Sequence, residues 1–144
     1  MNRLSLAALS GMTHETMEAS ALRRILFVED DPDIQVVATM ALESLGGFSV
    51  LACASGVEAL SRFDEFAPDL VLLDVMMPGM DGPETLAELR RRPSGVPVIF
   101  MTARVQGHEI LRYRELGAAD VIAKPFDPMT LADTVRTIWL SLQP

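Results

Sequence analysis

Residues 69–82 read DLVLLDVMMPGMDG and contain the features that decide the fold. Four consecutive apolar residues, Leu70 to Leu73, are followed by the acidic Asp74 and then by a Pro-Gly turn at positions 78 and 79. A short, continuous apolar run bounded by turn residues is typical of a strand buried on both faces, as in a parallel sheet. The stretch therefore predicts a buried strand that ends at a carboxylate.

Apolar runs of this kind recur from Ile25 onwards and alternate with segments of helical period. This alternation predicts an α/β fold, in which a doubly wound, five-stranded parallel sheet is covered by helices on both faces in a (βα)5 arrangement. The predicted strands are residues 25–28, 48–53, 70–74, 96–101 and 119–123. The predicted helices are about residues 34–45, 56–66, 83–90, 106–116 and 127–142.

Local signals indicate where several helices begin. Ser55, Asp81 and Asp127 are expected as N-caps because their side-chain oxygens can accept bonds from the first amides of a helix. Pro83 and Pro128 suit the first turn of the helices that follow. The fourth helix contains Gly107 and has a sparse apolar face, so it is expected to be the most mobile element.

Composition limits the classes of protein. The 144 residues fit one domain, assigned to residues 22–144, with residues 1–21 as a mobile extension and no output domain after the last helix. The net charge of −8 disfavours direct binding to nucleic acid. No apolar run approaches the roughly 18 residues of a membrane span. The single cysteine, Cys53, excludes an intrachain disulfide and fits a cytoplasmic protein.

Polar residues stand at four of the five predicted strand ends, where α/β sheets bind their ligands: Glu29, Asp30, Asp31, Asp74, Thr102 and Lys124. Carboxylates about 4–5 Å apart repel by roughly 3–4 kcal/mol per pair at an effective dielectric near 20, so a positive charge is expected among them. Lys124 supplies one. An all-oxygen set also suits Mg²⁺. With the metal bound, Asp74 could act as a nucleophile towards a phosphoryl group, with Thr102 and Lys124 on its other oxygens.

Each residue also has a structural interpretation. The three acids after the first strand could cap the first helix, and Asp74 could simply open a turn. Thr102 alone would be a strand-end hydroxyl, and Lys124 alone a solvated lysine. Asp81 is assigned to capping rather than to metal. The joint placement of the others favours a site.

Four segments, ILFVEDDPDI, DLVLLDVMMPGMDG, VIFMTA and VIAKPF, resemble the response-regulator receiver family in the same order over residues 23–142. The resemblance implies a flavodoxin-like strand order 2-1-3-4-5. It implies that Glu29 and Asp30 are the family's acidic pair, Asp74 its phosphoacceptor, Thr102 its switch hydroxyl and Lys124 its invariant lysine. It further implies that the backbone carbonyl of Met76 completes a Mg²⁺ site with Glu29, Asp30 and Asp74, and that Lys124–Pro125 is a cis peptide.

The resemblance implies a signalling switch that takes a phosphoryl group from a sensor histidine kinase and acts by binding a downstream effector protein. Such a protein catalyses only its own phosphorylation and dephosphorylation and is expected as a monomer or weak dimer. An intermediate that passes the group to a histidine phosphotransfer protein stays open. So do a phosphohydrolase, disfavoured by Met76 where a second aspartate is usual, and a binding module that has lost the chemistry.

Two positions depart from the family pattern. Val121 occupies the strand-5 position that is usually aromatic, so switching through an aromatic rotamer is excluded and coupling through the loop after Thr102 is expected instead. Glu29 replaces the commoner aspartate, and its longer side chain could reach the metal directly or through water.

Overall fold

The computed structural model describes residues 21–144, and within this range five strands alternate with five helices. The predicted extension, except for Ala21, lies outside the described residues. The strands are β1 Arg24–Val28, β2 Ser49–Cys53, β3 Leu70–Asp74, β4 Val98–Thr102 and β5 Asp120–Ala123. The helices are α1 Pro32–Ser44, α2 Gly56–Phe66, α3 Gly82–Arg90, α4 Gly107–Glu115 and α5 Leu131–Ser141.

All strand pairs are parallel, and the order in the sheet is β2-β1-β3-β4-β5. The predicted fold class and strand order are therefore confirmed. The strand order changes direction between β1 and β3, because β2 lies on one side of β1 and the later strands lie on the other. These two strands pair directly, with Val28 opposite Leu73 at their carboxyl ends. This is the switch point at which open α/β sheets form their ligand crevices.

Each face of the sheet is covered by its own apolar core. Along β1, Leu26 and Val28 point to a core shared with α2, α3 and α4, whereas Ile25 and Phe27 point to a core shared with α1 and α5. Every residue of β3 and β4 is buried. Burial on both faces explains why these strands appear in the sequence as continuous apolar runs.

Two predicted caps are confirmed. Ser55 Oγ accepts a bond from the Glu58 amide at 3.1 Å, and Asp81 Oδ1 accepts one from the Glu84 amide at 2.9 Å. The Asp81 amide in turn donates to Glu84 Oε1 at 3.0 Å, which completes a capping box. Asp81 is therefore the N-cap of α3, as predicted from the sequence.

The predicted start of the last helix was wrong. Asp127 is not the N-cap of α5, which begins at Leu131. Its carboxylate instead accepts a bond from the Met129 amide at 2.9 Å, and its carbonyl accepts one from the Thr130 amide at 3.1 Å. These bonds form a separate turn before the helix, because an aspartate can bond to nearby amides outside a helix as readily as at its start.

Three strands begin later than predicted, and for β5 the difference is one residue, since it starts at Asp120. β4 starts at Val98, since Pro97 has no amide hydrogen to donate to the ladder, although its carbonyl accepts a bond from Val71 at 3.0 Å. β2 starts at Ser49, with Phe48 packed in the core beneath α1. Within residues 21–144, no helix combines the length and apolar character needed to cross a bilayer.

Candidate functional site

Four strands bring the predicted site residues to one edge of the sheet. Glu29 directly follows β1, Asp74 ends β3, Thr102 ends β4, and Lys124 directly follows β5. Asp74 pairs in register with Met101, so Thr102 lies one residue beyond it on the neighbouring strand. Glu29, Asp74 and Thr102 are all buried, with exposed fractions of 1%, 5% and 2%. Buried polar groups at a strand edge need partners; Lys124 lies within reach of both Glu29 and Asp74, and the Arg104 amide donates to Thr102.

Three carboxylates converge at this edge. Glu29, Asp30 and Asp74 each offer one oxygen, and these oxygens lie within 4.8 Å of one another. Asp30 is exposed, so the cluster opens towards solvent on that side. An all-oxygen set with an open side fits a hard divalent cation such as Mg²⁺, which keeps several of its waters. Met76 stands two residues beyond Asp74, and the role predicted for its carbonyl stays a prediction.

Lys124 joins two of the carboxylates. Its Nζ lies 2.9 Å from Glu29 Oε1 and 3.3 Å from Asp74 Oδ1. Burial lowers the pKa of Lys124, but hydrogen bonds and charges from Glu29 and Asp74 outweigh that effect and raise its pKa above the usual value. The lysine is therefore a permanent cation inside the acidic cluster.

The electrostatics of Asp74 differ from those of a surface aspartate. Burial and the neighbouring charge of Glu29 raise its pKa to about 6, although Lys124 opposes both effects. The carboxylate thus exists at a free-energy cost that a second cation at the site would relieve. At neutral pH it is still mostly ionised, as a nucleophile must be.

Glu29 is held by donors from the protein itself. Oε1 accepts from Lys124, and Oε2 accepts from the Asp31 amide at 3.0 Å. Its carbonyl accepts a bond from Gln35 Nε2 at 3.0 Å, and its amide donates to Cys53 at 2.9 Å. Glu29 therefore fixes Lys124 in position, and a metal at the cluster would share oxygens that already have partners.

Thr102 is connected to the loop that leads to α4. Its Oγ1 accepts a bond from the Arg104 amide at 3.0 Å. The Arg104 guanidinium in turn lies 3.8 Å from the carboxylate of Glu109, which also accepts a bond from the Gln106 amide at 3.3 Å. A change at the hydroxyl can therefore reach the first turn of α4. Sequence reasoning missed Glu109, although its position three residues after Gln106 matches the spacing of a capping pair.

Gly82 was also missed as a site residue. A Cβ atom at this position would lie 2.6 Å from the carbonyl oxygen of Asp74 and 2.8 Å from the Cα of Val75. The Gly82 amide donates to the Val75 carbonyl at 2.9 Å. The start of α3 thus packs directly on the backbone that carries Asp74, a contact between residues eight positions apart that no local pattern indicates.

The remaining predictions for this edge concern the helix cap and the peptide after Lys124. Asp31 caps α1 by accepting bonds from the amides of Asp33 at 2.9 Å and Ile34 at 3.2 Å. Of the three acids after β1, this one belongs to the helix, and the other two belong to the cluster. The Lys124–Pro125 peptide is cis, as the resemblance implied.

Comparison with known proteins gives a consistent result. Residues 25–136 match the family model described as the response regulator receiver domain. The DNA-binding response regulator MtrA of Mycolicibacterium smegmatis is 40% identical over 114 residues, which are 79% of this chain and 49% of that protein. The chain spans about half the length of the curated relatives it matches.

Solved structures show the same fold. Chemotaxis response regulator CheY4 of Vibrio cholerae superposes with a TM-score of 0.76 at 27% identity, covering 82% of this chain and 99% of that one. The BeF3-activated N-terminal receiver domain of RstA from Klebsiella pneumoniae gives a TM-score of 0.71 at 32% identity, covering 81% and 98%. The family match and the site geometry agree, and the chain belongs to the response regulator receiver domain family.

Proposed function

We propose that this protein is a phosphorylation-dependent switch of a two-component system, in which Asp74 accepts a phosphoryl group from a sensor histidine kinase. One observation carries the proposal. A buried carboxylate lies 3.3 Å from a lysine ammonium, within a cluster of three carboxylates whose oxygens lie within 4.8 Å of one another. That arrangement supplies a nucleophile, one cation and carboxylates that could hold a second cation, which together suit phosphoryl transfer.

The roles of the residues follow from their positions. An Asp74 oxygen forms the new bond to phosphorus as the bond to the donor histidine nitrogen breaks, and that nitrogen keeps the electron pair. Glu29, Asp30, Asp74 and the Met76 carbonyl would hold Mg²⁺, which would supply positive charge for the phosphoryl oxygens. Lys124 pairs with a second phosphoryl oxygen while it keeps its bond to Glu29. The Thr102 hydroxyl donates a hydrogen bond to a further phosphoryl oxygen.

The Thr102 hydroxyl is also the proposed start of the switch. It now accepts a bond from the Arg104 amide, and movement of Oγ1 towards the phosphoryl group, to which the hydroxyl would donate, would lengthen that bond. The loop would then shift, and the shift would reach α4 through Glu109. This route needs no aromatic residue at the half-buried position of Val121. The phosphoryl group favours the shifted state only through its additional contacts there.

The proposed output is a protein contact. MtrA is described as a DNA-binding regulator and is about twice as long as the matched region, so its DNA binding does not transfer to this stretch of sequence. The net charge of −8 opposes contact with DNA phosphates. A cytoplasmic effector protein is the proposed partner. Transfer of the group to a histidine phosphotransfer protein is the second candidate, and incubation of the phosphorylated protein with such proteins distinguishes the two.

The test is intact mass after incubation with acetyl phosphate and Mg²⁺. Wild type is expected to gain one phosphoryl group, Asp74→Asn none, and wild type without Mg²⁺ little. Asp81→Asn is the matched control, because this neighbouring acid caps α3 and asparagine caps helices as well as aspartate does. Equal gain in Asp74→Asn, or no gain in wild type, would favour a binding module without the chemistry. Repeated turnover of a phosphate monoester would instead indicate a phosphohydrolase.

A further inference from the structure

A cleft lies between the start of α3 and the outer surface of α4, and no residue of β5 or α5 lines it. Its volume is about 350 Å³, and its lining residues are Val75, Pro83, His108, Glu109, Arg112 and Tyr113. Val75 directly follows Asp74, so the cleft lies beside the candidate site. We call this space the α3–α4 cleft.

Two basic side chains of the α3–α4 cleft have no acidic partner. His108 and Arg112 are four residues apart on α4, so they lie on the same side of the helix. Both are exposed, and within residues 21–144 neither makes a hydrogen bond or an ion pair. By contrast, a carboxylate oxygen lies 3.8, 3.8 and 3.0 Å from the guanidinium groups of Arg91, Arg104 and Arg114. Arg112 is thus a cation that the domain itself does not neutralise.

The carboxylate nearest in sequence is already engaged elsewhere. Of the residues that line the cleft in the described part of the chain, Glu109 alone is acidic. Its carboxylate accepts a bond from the Gln106 amide at 3.3 Å and lies 3.8 Å from the Arg104 guanidinium, towards an adjoining hollow. Arg112 therefore keeps its N–H groups, and His108 its ring N–H, available for an external carboxylate.

The rest of the cleft indicates what kind of molecule would carry that carboxylate. Val75 and Tyr113 are buried, and together with Pro83 they give the cleft an apolar wall beside its basic edge. An apolar wall with a few polar groups is typical of a binding site. The net charge of −8 repels an extended polyanion, whereas a single carboxylate with apolar neighbours gains contacts at both parts of the cleft. An acidic residue within a protein segment fits these conditions.

We infer that the α3–α4 cleft binds an acidic residue of a protein partner, with its carboxylate between His108 and Arg112. Arg104 connects this cleft to the candidate site, because its amide donates to Thr102 and its guanidinium pairs with Glu109. A shift of that loop on phosphorylation would therefore change the edge of the cleft. This consequence rests on the proposed function, whereas the binding itself does not.

Two short blocked peptides test the binding by NMR on the isotope-enriched full chain. Each has leucine on both sides of a central residue, which is glutamate in one peptide and glutamine in the other. Amide signals of residues 75 and 108–113 are expected to shift saturably with the glutamate peptide, while those of α2 stay in place. The glutamine peptide should bind at least about fivefold more weakly, because bonds to an ionised carboxylate are stronger. The spectra need no phosphodonor, so a failure of binding is separate from a failure of phosphorylation at Asp74.

Variants identify the group that holds the carboxylate. Arg112→Gln should weaken binding of the glutamate peptide at least about fivefold and leave binding of the glutamine peptide unchanged. This variant should fold normally, because the Arg112 side chain is exposed and has no bonded partner within residues 21–144. Arg62→Gln is the matched control, since it removes the same charge from α2, where Arg62 is 46% exposed, and it should bind both peptides as wild type does.

Several outcomes would overturn the inference. Equal affinity for the two peptides would show that no carboxylate is recognised, and shifts confined to another surface would place the contact elsewhere. An equal loss of affinity in Arg112→Gln and Arg62→Gln would show that overall charge alone attracts the peptide. Saturation of the same signals by inorganic phosphate, with no further shift on adding the glutamate peptide, would assign the cleft to a small anion instead.

Discussion

Replacing Gly82 by alanine is expected to disturb the backbone that carries Asp74, whereas the same change at Gly107 is not. Both glycines are the first residue of a helix, α3 and α4 respectively, and neither has a positive φ. They differ in their surroundings. A Cβ at Gly82 would lie 2.6 Å from the Asp74 carbonyl oxygen, while one at Gly107 would meet no atom within 4 Å.

The size of the effect follows from this difference. Gly→Ala at a compatible position adds about 0.4–1 kcal/mol to the free energy of unfolding by restricting the unfolded chain, and this gain is expected for Gly107→Ala. At Gly82 the added methyl group must push backbone rather than a flexible side chain, and overpacking of this kind costs about 1–3 kcal/mol. The restriction of the unfolded chain applies to both variants and cancels, so they should differ in stability by the overpacking cost of about 1–3 kcal/mol, with Gly82→Ala the less stable.

Urea unfolding followed by the fluorescence of Trp139, the single tryptophan, measures both stabilities. The rate of phosphorylation by acetyl phosphate provides the second readout, which should fall in Gly82→Ala because the Asp74 backbone has moved, and should be unchanged in Gly107→Ala. Equal stabilities and equal rates in the two variants would refute the argument that α3 packs on the Asp74 backbone closely enough to require glycine.

Three further predictions use other features of the structure. The buried Thr39 hydroxyl has no hydrogen-bond partner among the described residues, so Thr39→Val should raise the free energy of unfolding by about 1 kcal/mol. The control is Thr85→Val, which removes a hydrogen bond of 2.8 Å to the Asp81 carbonyl. In the same urea assay this variant should lower the free energy of unfolding by a similar amount. Burial raises the pKa of Cys53 to about 11, so roughly 0.1% of the thiol is ionised at pH 8. A disulfide reagent should therefore label Cys53 far more slowly in the native protein than in urea. Fast labelling of the native protein would show that β2 opens readily. Burial and Glu29 raise the pKa of Asp74 to about 6, above its unfolded value near 3.9, so the metal-free protein loses stability as pH rises from about 4 to 6. Asp74→Asn should therefore stabilise the metal-free protein at pH 7.5, by at most about 3 kcal/mol, and the gain should shrink towards pH 4; a gain that did not change with pH would contradict this assignment.

Regular elements could be predicted from the sequence because their signals are local. The continuous apolar run of β3 requires burial on both faces, and the helical period of α1 requires one buried side. Ser55 and Asp81 were predictable as caps because a cap bonds within three residues of itself. Asp127 shows the limit of this reasoning, since the same local bonds can also close a turn outside the helix.

The residues of the candidate site were predictable for a related reason. Parallel strands bring their carboxyl ends to one edge, so Glu29, Asp74, Thr102 and Lys124 had to converge once the strands were known. Which atoms meet could not be predicted. The bond between Lys124 and Glu29 joins residues 95 positions apart, and its length depends on how every strand between them is placed.

The sequence by itself thus determined the fold class, the strand order through the family resemblance, and the set of residues at the sheet edge. Only the tertiary structure decided that both oxygens of Glu29 already have donors, that Gly82 packs on the Asp74 backbone, and that α3 and α4 enclose a cleft lined by Arg112. The physical reason is the range of the interactions. Periodicity and capping act over a few residues of chain, whereas close packing and the partners of buried polar groups depend on segments that meet only in the folded protein.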